Sequence, residues 1–325
     1  MDQLVEIRNL VKEFQGRSLV ARSRSAFRAV DLVSFDIEKN TIFGLVGESG
    51  CGKTTVSRAI LHLDPPTSGE VRFAGTALEG LSGKALRGYR RRMQIVFQDP
   101  DSALNPKLRI GASLEEGLIN LGVPKKERLR RVEEMLELVG MSPSQRTRYP
   151  HEFSGGQKQR IVVARALTMQ PEFLVLDEPV SNLDVSIQAQ IINLLLDLKD
   201  RLSLTYLFIS HDLNLVAYLS DRIAVMYKGR IVELGSTEQI MDQPVHPYTL
   251  RLFSASPTLH GTIQPNEKIQ EKAPTFGIAA GCPYAGQCDW KDSSCLEGEP
   301  ELRDIGEGHL VACIHSMHSK ERTPA

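Results

Sequence analysis

The chain has 325 residues and a formal net charge of −1. That is room for one large domain plus a further module, without the charge excess that draws a protein to nucleic acid or anionic lipid. No apolar run approaches the roughly 20 residues a membrane helix needs, and the opening MDQLVEIRNL lacks the basic-then-apolar pattern of a secretory signal. The expectation is a chain kept in the cytosol and brought to a membrane, if it works at one, by separate spanning subunits.

Residues 4–85 alternate strand-like runs and turns. Ile42–Val46 reads as a short buried strand, and the next stretch fits G-x-x-x-x-G-K-[ST], with Gly47, Gly52, Lys53 and Thr54 at the fixed positions and Glu48, Ser49, Gly50, Cys51 and Thr55 completing the loop. Glycines let successive backbone N–H groups face one point, and a helix from about Lys53 to Leu61 adds its positive end. Lys53 can reach the β- and γ-phosphates of a nucleoside triphosphate, and the Thr54 hydroxyl can bind Mg²⁺. Cys51 reads as a small filler. Asp64–Gly69 is a turn before a strand at Glu70–Phe73. Arg87, Arg90, Arg91 and Arg92 form a basic run, expected as a solvated helix face.

Met93–Phe97 is another strand-like run, and Gln98 at its end can offer its carbonyl to Mg²⁺ or to an attacking water. Residues 100–152 then change character. Leu129, Val132, Leu136 and Val139 give Lys126–Val139 one apolar helix face, and Gly140 ends it. This section is expected to be a helical subdomain, about 100–160, inserted into an α/β core. Ser154-Gly155-Gly156-Gln157 caps and opens a second helix, to about Thr168. Its bare N–H groups are a second anion site, which is either a simple cap or meant for another molecule's nucleotide.

Phe173–Leu176 is an apolar strand that ends in Asp177-Glu178. In parallel α/β sheets ligands gather beyond the carboxyl ends of strands. There Asp177 can hold Mg²⁺ and Glu178 can orient and deprotonate water for phosphoryl transfer. A long helix follows at about Val185–Leu202. His211, after the strand Leu204–Ile209, sits where a side chain can reach a γ-phosphate. Arg222–Met226 and Arg230–Glu233 read as strands around a Lys228-Gly229 turn, and beyond Gly235 the pattern breaks into short, proline-rich pieces.

The order of the phosphate loop, Gln98, SGGQ, LDEP, Ser181-Asn182-Leu183-Asp184 and His211 resembles the ATPase subunit of an ABC transporter over about residues 4–235. The resemblance implies a RecA-like P-loop NTPase core with an antiparallel β subdomain and an inserted helical subdomain. It also implies a head-to-tail dimer in which ATP on one Lys53 loop is capped by the partner's Ser154–Gln157 turn. Asp184 would communicate across that interface, and Gln98 would carry the nucleotide state to membrane subunits. Adenine stacks on an aromatic near the first strand in this family. Phe14 matches that position best, with Phe27 a competitor beyond a polar insertion at Gly16–Arg24. Phe153 stands where leucine is usual, and Asn182 where a small residue is common.

In the tail, Cys282, Cys288, Cys295 and Cys313 are spaced C-x5-C-x6-C-x17-C. Disulfides are disfavoured in the cytosol, so four thiols in a short segment suggest a metal. The spacing is neither that of zinc ribbons nor that of ferredoxins, so chemistry alone leaves zinc and an iron–sulfur cluster open. His246-Pro247-Tyr248-Thr249, Gly281-Cys282-Pro283 and Val311-Ala312-Cys313 resemble the C-terminal extension, here 236–325, of oligopeptide/dipeptide importer ATPases, and DEPVSNLDVSIQAQ and SGGQKQRIVVARAL their F-type component. That resemblance implies a [4Fe–4S] cluster on the four cysteines, serving as a structural clasp.

It further implies ATP and Mg²⁺ as ligands and a paralogous ATPase as dimer partner. Two permease subunits and an extracytoplasmic peptide-binding protein complete the expected assembly. The chain would lie peripherally on the cytoplasmic face of the inner membrane, with no nucleic acid partner. The competing readings are a soluble ABC ATPase acting on nucleic acid or ribosomes, an importer ATPase for nickel or glutathione, and a tail that senses metal or redox state. One cassette without sustained heptads argues against the first.

Overall fold

The computed structural model describes residues 2–15, 26–254 and 281–316. The insertion at 16–24 and the middle of the C-terminal extension lie outside these. Among the described residues no helix is long and apolar enough to cross a membrane. The strands are β1 (Gln3–Gln15), β2 (Ala26–Glu38), β3 (Ile42–Val46), β4 (Ser68–Phe73), β5 (Thr76–Ala77), β6 (Met93–Val96), β7 (Phe173–Asp177), β8 (Thr205–Ser210), β9 (Arg222–Tyr227), β10 (Arg230–Ser236), β11 (Arg303–Asp304) and β12 (Leu310–Val311). The α-helices are α1 (Lys53–Ile60), α2 (Gly83–Arg92), α3 (Pro100–Ala103), α4 (Ile110–Asn120), α5 (Lys125–Leu138), α6 (Gly155–Leu167), α7 (Val185–Leu202), α8 (Leu213–Leu219), α9 (Thr237–Asp242) and α10 (Pro247–Ser254). The chain divides into two compact units, Met1–Val5, Asp36–Ile42 and Arg72–Ile209 in the first and Glu6–Phe35, Phe43–Val71 and Ser210–Ala325 in the second.

In the first unit β6, β7 and β8 run parallel, in register Val96↔Leu176 and Asp177↔Ile209. Every residue of β7 and β8 is buried, which is why both read as unbroken apolar runs rather than alternating ones. β4 and β5 form an antiparallel pair, Arg72↔Ala77 and Phe73↔Thr76. Helices α3 to α6 lie between β6 and β7 in the chain and pack on one another. α5 buries Val132 and Leu136, with Val139 just beyond, at the spacing that marked its apolar face. Its end is a Schellman turn: Gly140, at φ 76°, donates its N–H to the Glu137 carbonyl, and Met141 donates to that of Leu136. The basic run lies on α2, but Arg92 is not merely solvated. It donates to both carboxylate oxygens of Glu172, at 2.5 and 2.8 Å, with its guanidinium over the Phe73 ring.

In the second unit β3 runs parallel to β9. β9 turns into antiparallel β10 through Lys228-Gly229, both at positive φ, the geometry of a two-residue type I′ hairpin. β10 outlasts the run read from the sequence because β9 goes on pairing with it, at Gly235↔Ile223 and Ser236↔Arg222; the tail also pairs with it, β12 adding antiparallel at Glu233↔Val311 and Leu234↔Leu310, and β11 follows on β12. Glu233 is fully buried and accepts from the backbone N–H of Val245 and His246 while contacting His309 Nε2 at 2.8 Å. One carboxylate on β10 thus gathers two separate parts of the extension.

His246 is buried, and its Nδ1 accepts the Tyr248 N–H at 3.0 Å at the start of α10. Burial pushes its pKa down to about 4, against an opposing pull from Glu233. Unfolded histidine titrates near 6.5. Between those values the unfolded chain binds a proton that the folded one refuses, so this contribution is present above about pH 6.5 and is lost as pH falls toward 4. Urea unfolding of the full chain at pH 7, 6 and 5 should therefore show stability dropping through that window, by up to about 1.4 kcal/mol per pH unit from this group. His246→Asn should flatten the drop. An identical slope in the variant would contradict the assignment.

Candidate functional site: a phosphate loop and a carboxylate cluster

The phosphate loop leaves β3 and is fixed by backbone contacts. A Cβ on Gly47 would lie 2.2 Å from the Met226 carbonyl oxygen, and one on Gly52 2.5 Å from that of Ala29. Gly52 also takes φ 112°, open in practice only to glycine, and caps α1 with no side-chain hydrogen bond. Cys51 is buried and burial raises its thiol pKa, which agrees with a packing role. Its carbonyl accepts the Gly229 N–H at 2.8 Å, so the β9–β10 hairpin steadies the loop. Lys53 is 5% exposed, and its ammonium donates to the carbonyls of Gly47 (2.7 Å) and Glu48 (3.0 Å). The lysine that would face phosphate is thus held over its own loop.

Loop and lysine therefore suit a triphosphate, since they pair a helix N-terminus without a side-chain cap with one buried cation. Phe14, at the end of β1, is 41% exposed and carries the Lys12 ammonium 5.4 Å from its ring centroid, so it offers an open aromatic face. Phe27 is half-buried. His211 is exposed just after Ser210, the last residue of β8, and belongs to the same unit as the loop.

The first unit brings together the residues expected to cut. Gln98 follows β6 and Asp177 ends β7, at the carboxyl ends of parallel strands. The Gln98 amide nitrogen donates to Glu178 Oε2 at 3.0 Å and to Ser181 Oγ at 3.3 Å. Asp177 is buried. Glu178 stands at φ 48°, a left-handed conformation that a glutamate adopts at a cost of about 1–3 kcal/mol. It is held there by its own N–H donating to the Ile209 carbonyl and by the Ser181 N–H and hydroxyl donating to its carbonyl. Ser181, read from the sequence only as part of a motif, is thus a positioning partner of both Gln98 and Glu178.

In the same unit the SGGQ turn forms a capping box. Ser154 Oγ accepts the Gln157 N–H, and the Gln157 side-chain oxygen accepts the Ser154 N–H. A Cβ on Gly156 would lie 2.5 Å from Ile187 Cγ2, and one on Gly155 3.5 Å from Leu183 Cδ2. The glycines thus bring the start of α6 against the start of α7, beside Asp184, an exposed N-cap that makes no side-chain cap bond. Phe153 is buried with the Arg148 guanidinium over its ring, so the swap from leucine is accommodated.

Cys313 lies within electrostatic reach of Cys282, Cys288 and Cys295. Cys282 N–H donates to the Cys295 carbonyl at 2.8 Å. Burial raises the pKa of Cys282, Cys288 and Cys313, each pushed further by neighbouring cysteines, with Cys313 reaching about 11. Thiols that disfavour one another's negative charge suit a cation among them. Two groups missed in the sequence stand beside them: His315 Nε2 lies 3.6 Å from Cys295 Sγ and 3.2 Å from Asp292 Oδ2. Asp292, Cys295 and His315 offer ligand atoms within 4.8 Å of one another. An H-x3–5-H-type spacing would have revealed such a group; a lone histidine 20 residues from its cysteine does not.

Residues 30–181 match the ABC transporter family, and 232–295 match the oligopeptide/dipeptide transporter C-terminal region. The chain is 44% identical to the oligopeptide transport ATP-binding protein OppF of Bacillus subtilis, over 97% of each chain. It is 40% identical to the di/tripeptide transport ATP-binding protein DppF of Pseudomonas aeruginosa, over 97% of this chain and 98% of that one. Among solved structures it is similar to cbiO1 of Clostridium perfringens, part of the ABC transporter complex cbiONQ. There the TM-score is 0.65 at 26% identity, over 75% of this chain and 92% of that one. A dimeric ATP-binding cassette in a post-hydrolysis state bound to ADP and Pi matches with a TM-score of 0.62 at 27% identity, over 72% and 99%. These neighbours share the mixed α/β fold expected of a P-loop ATPase.

The glycine contacts yield a graded test. Gly50 has φ 81° with nothing within 4 Å of an added Cβ, whereas Gly52 has both an unfavourable φ and a carbonyl in the way. Gly50→Ala should cost about 1 kcal/mol of stability and Gly52→Ala about 3 kcal/mol or more, measured by urea unfolding. Equal costs would contradict the packing described.

Proposed function

The chain belongs to the ATP-binding subunits of ABC-type oligopeptide and dipeptide transporters, and from that premise we propose that it hydrolyses ATP to drive import of di- and oligopeptides through membrane permease subunits. The observation that carries the reading is the Gln98–Glu178–Ser181 cluster at the strand ends, in a chain matched over nearly its whole length by an oligopeptide transport ATP-binding protein. The phosphates would lie on the loop 47–55, on amides other than those of Glu48 and Cys51, which already have partners, with Lys53 on the β- and γ-phosphates, His211 at the γ-phosphate, and the adenine on Phe14. Thr54, Gln98 and Asp177 would hold Mg²⁺, which when bound neutralises charge on the phosphates.

Glu178 takes the proton of a water as its oxygen bonds to the γ-phosphorus. The bond from that phosphorus to the bridging oxygen breaks, and ADP and phosphate leave. Gln98 and Ser181 keep the Glu178 carboxylate aimed, so its strained backbone is a positioning device. In this reading the Ser154–Gln157 turn caps the nucleotide of a paralogous partner ATPase, and Asp184 reports across the joint. Closure and reopening of the pair would drive two permeases supplied by an extracytoplasmic peptide-binding protein, with the chain peripheral on the cytoplasmic face of the inner membrane.

Cys282, Cys288, Cys295 and Cys313 would hold a [4Fe–4S] cluster that clasps the extension. Stoichiometric iron and acid-labile sulfide in anaerobically purified protein support this; zinc in their place overturns it.

Glu178→Gln keeps the shape of the side chain and removes the base. ATP turnover by the assembled transporter should fall about 10²- to 10⁴-fold, while ATP binding persists. Turnover at the wild-type level would show that Glu178 does not accept the proton.

A further inference from the structure

Tyr248 belongs to the C-terminal extension, yet its hydroxyl oxygen accepts the backbone N–H of Glu48, 200 positions away in the phosphate loop, at 3.0 Å. Glu48 is a junction of that loop. Its carbonyl accepts the Cys51 N–H at 3.2 Å and the Lys53 ammonium at 3.0 Å. The tyrosine therefore holds the N–H of a residue whose carbonyl holds the Lys53 ammonium and the Cys51 N–H.

Tyr248 cannot drift from this position. It is fully buried, in a trio of rings with Tyr227 (centroids 4.6 Å apart) and Tyr284 (5.6 Å), and Tyr227 and Tyr284 meet edge to face at 5.3 Å. Tyr227 immediately precedes the Lys228-Gly229 turn, whose Gly229 N–H donates to Cys51. Tyr284 follows Cys282 by two residues, at the entrance to the thiol cluster. His246, on the turn into α10, caps the Tyr248 N–H and packs against Tyr284. Two of the three rings thus come from the extension, and the trio touches the loop at both Glu48 and, through the hairpin, Cys51.

We propose that Tyr248 is a positioning residue of the phosphate loop, through which the C-terminal extension sets this chain's affinity for ATP. The inference rests on the phosphate-loop reading above and adds a residue outside the cassette motifs. The phenol fixes the Gly47–Glu48 peptide plane through its N–H, and the carbonyl of that same plane, on Gly47, accepts the Lys53 ammonium at 2.7 Å. Losing such a bond while the ring stays in place removes the order of one hydrogen bond.

The test is Tyr248→Phe in the full-length chain, titrated with a fluorescent ATP analogue and assayed for ATP turnover. The dissociation constant and KM for ATP should rise about 3- to 10-fold, with kcat at saturating ATP falling by a smaller factor. A misfolded fraction would instead lower kcat at constant KM, and that result overturns the proposal, as does unchanged affinity. Tyr284→Leu, which withdraws ring support without touching the bond, should weaken ATP binding in the same direction; unchanged binding there would sever the extension from the loop. Lys53→Ala separates the two levels of inference. If it binds ATP as tightly as the wild type, the phosphate-loop reading fails; if it loses binding while Tyr248→Phe does not, only the role of Tyr248 falls.

Discussion

The constraint on which the rest depends is close backbone approach at the phosphate loop. Carbonyl oxygens of Met226 and Ala29 stand where side chains at Gly47 and Gly52 would have to go. The loop is therefore not a flexible glycine tract but a packed object with one shape. Around it the second unit supplies fixed partners: the Gly229 amide on Cys51, the Tyr248 phenol on Glu48, and the Lys53 ammonium folded onto two loop carbonyls. A cradle held this way is preorganised for phosphate, so binding does not first have to order it.

The first unit meets a different demand. A carboxylate proposed to take a proton must point at one place, and Glu178 is held in a backbone conformation that its residue type disfavours. Strain of this kind persists only where neighbours overdetermine it. Ile209, Ser181 and Gln98 supply those bonds, from two strand ends and the turn after β7. Tight control of the base and of the loop fits an ATPase whose hydrolysis must be timed to a transport step.

Much of this was legible in the sequence because its causes are local. The Ser154 N-cap, the buried runs of β7 and β8, and the α5 face closed by Gly140 are each specified by residues close together in the chain. What was not legible depends on partners far along the chain. Arg92 reads as solvated until Glu172 is placed beside it. The tail strand β12 finds its place only through its pairing with β10. Ser181 becomes a positioning residue, and His315 and Asp292 neighbours of Cys295, only in three dimensions. The bond from Tyr248 to Glu48 leaves no periodic trace, since one end is a backbone amide.

The central claim is that phosphate loop and SGGQ turn of one chain serve two different nucleotides. The most direct measurement is a cryo-electron-microscopy structure of the ATP-loaded assembly trapped with Glu178→Gln. The account requires Lys53 on the phosphates of one ATP and Ser154 on the γ-phosphate of the ATP carried by the partner subunit. Lys53 and Ser154 of the same chain meeting on a single nucleotide would contradict it.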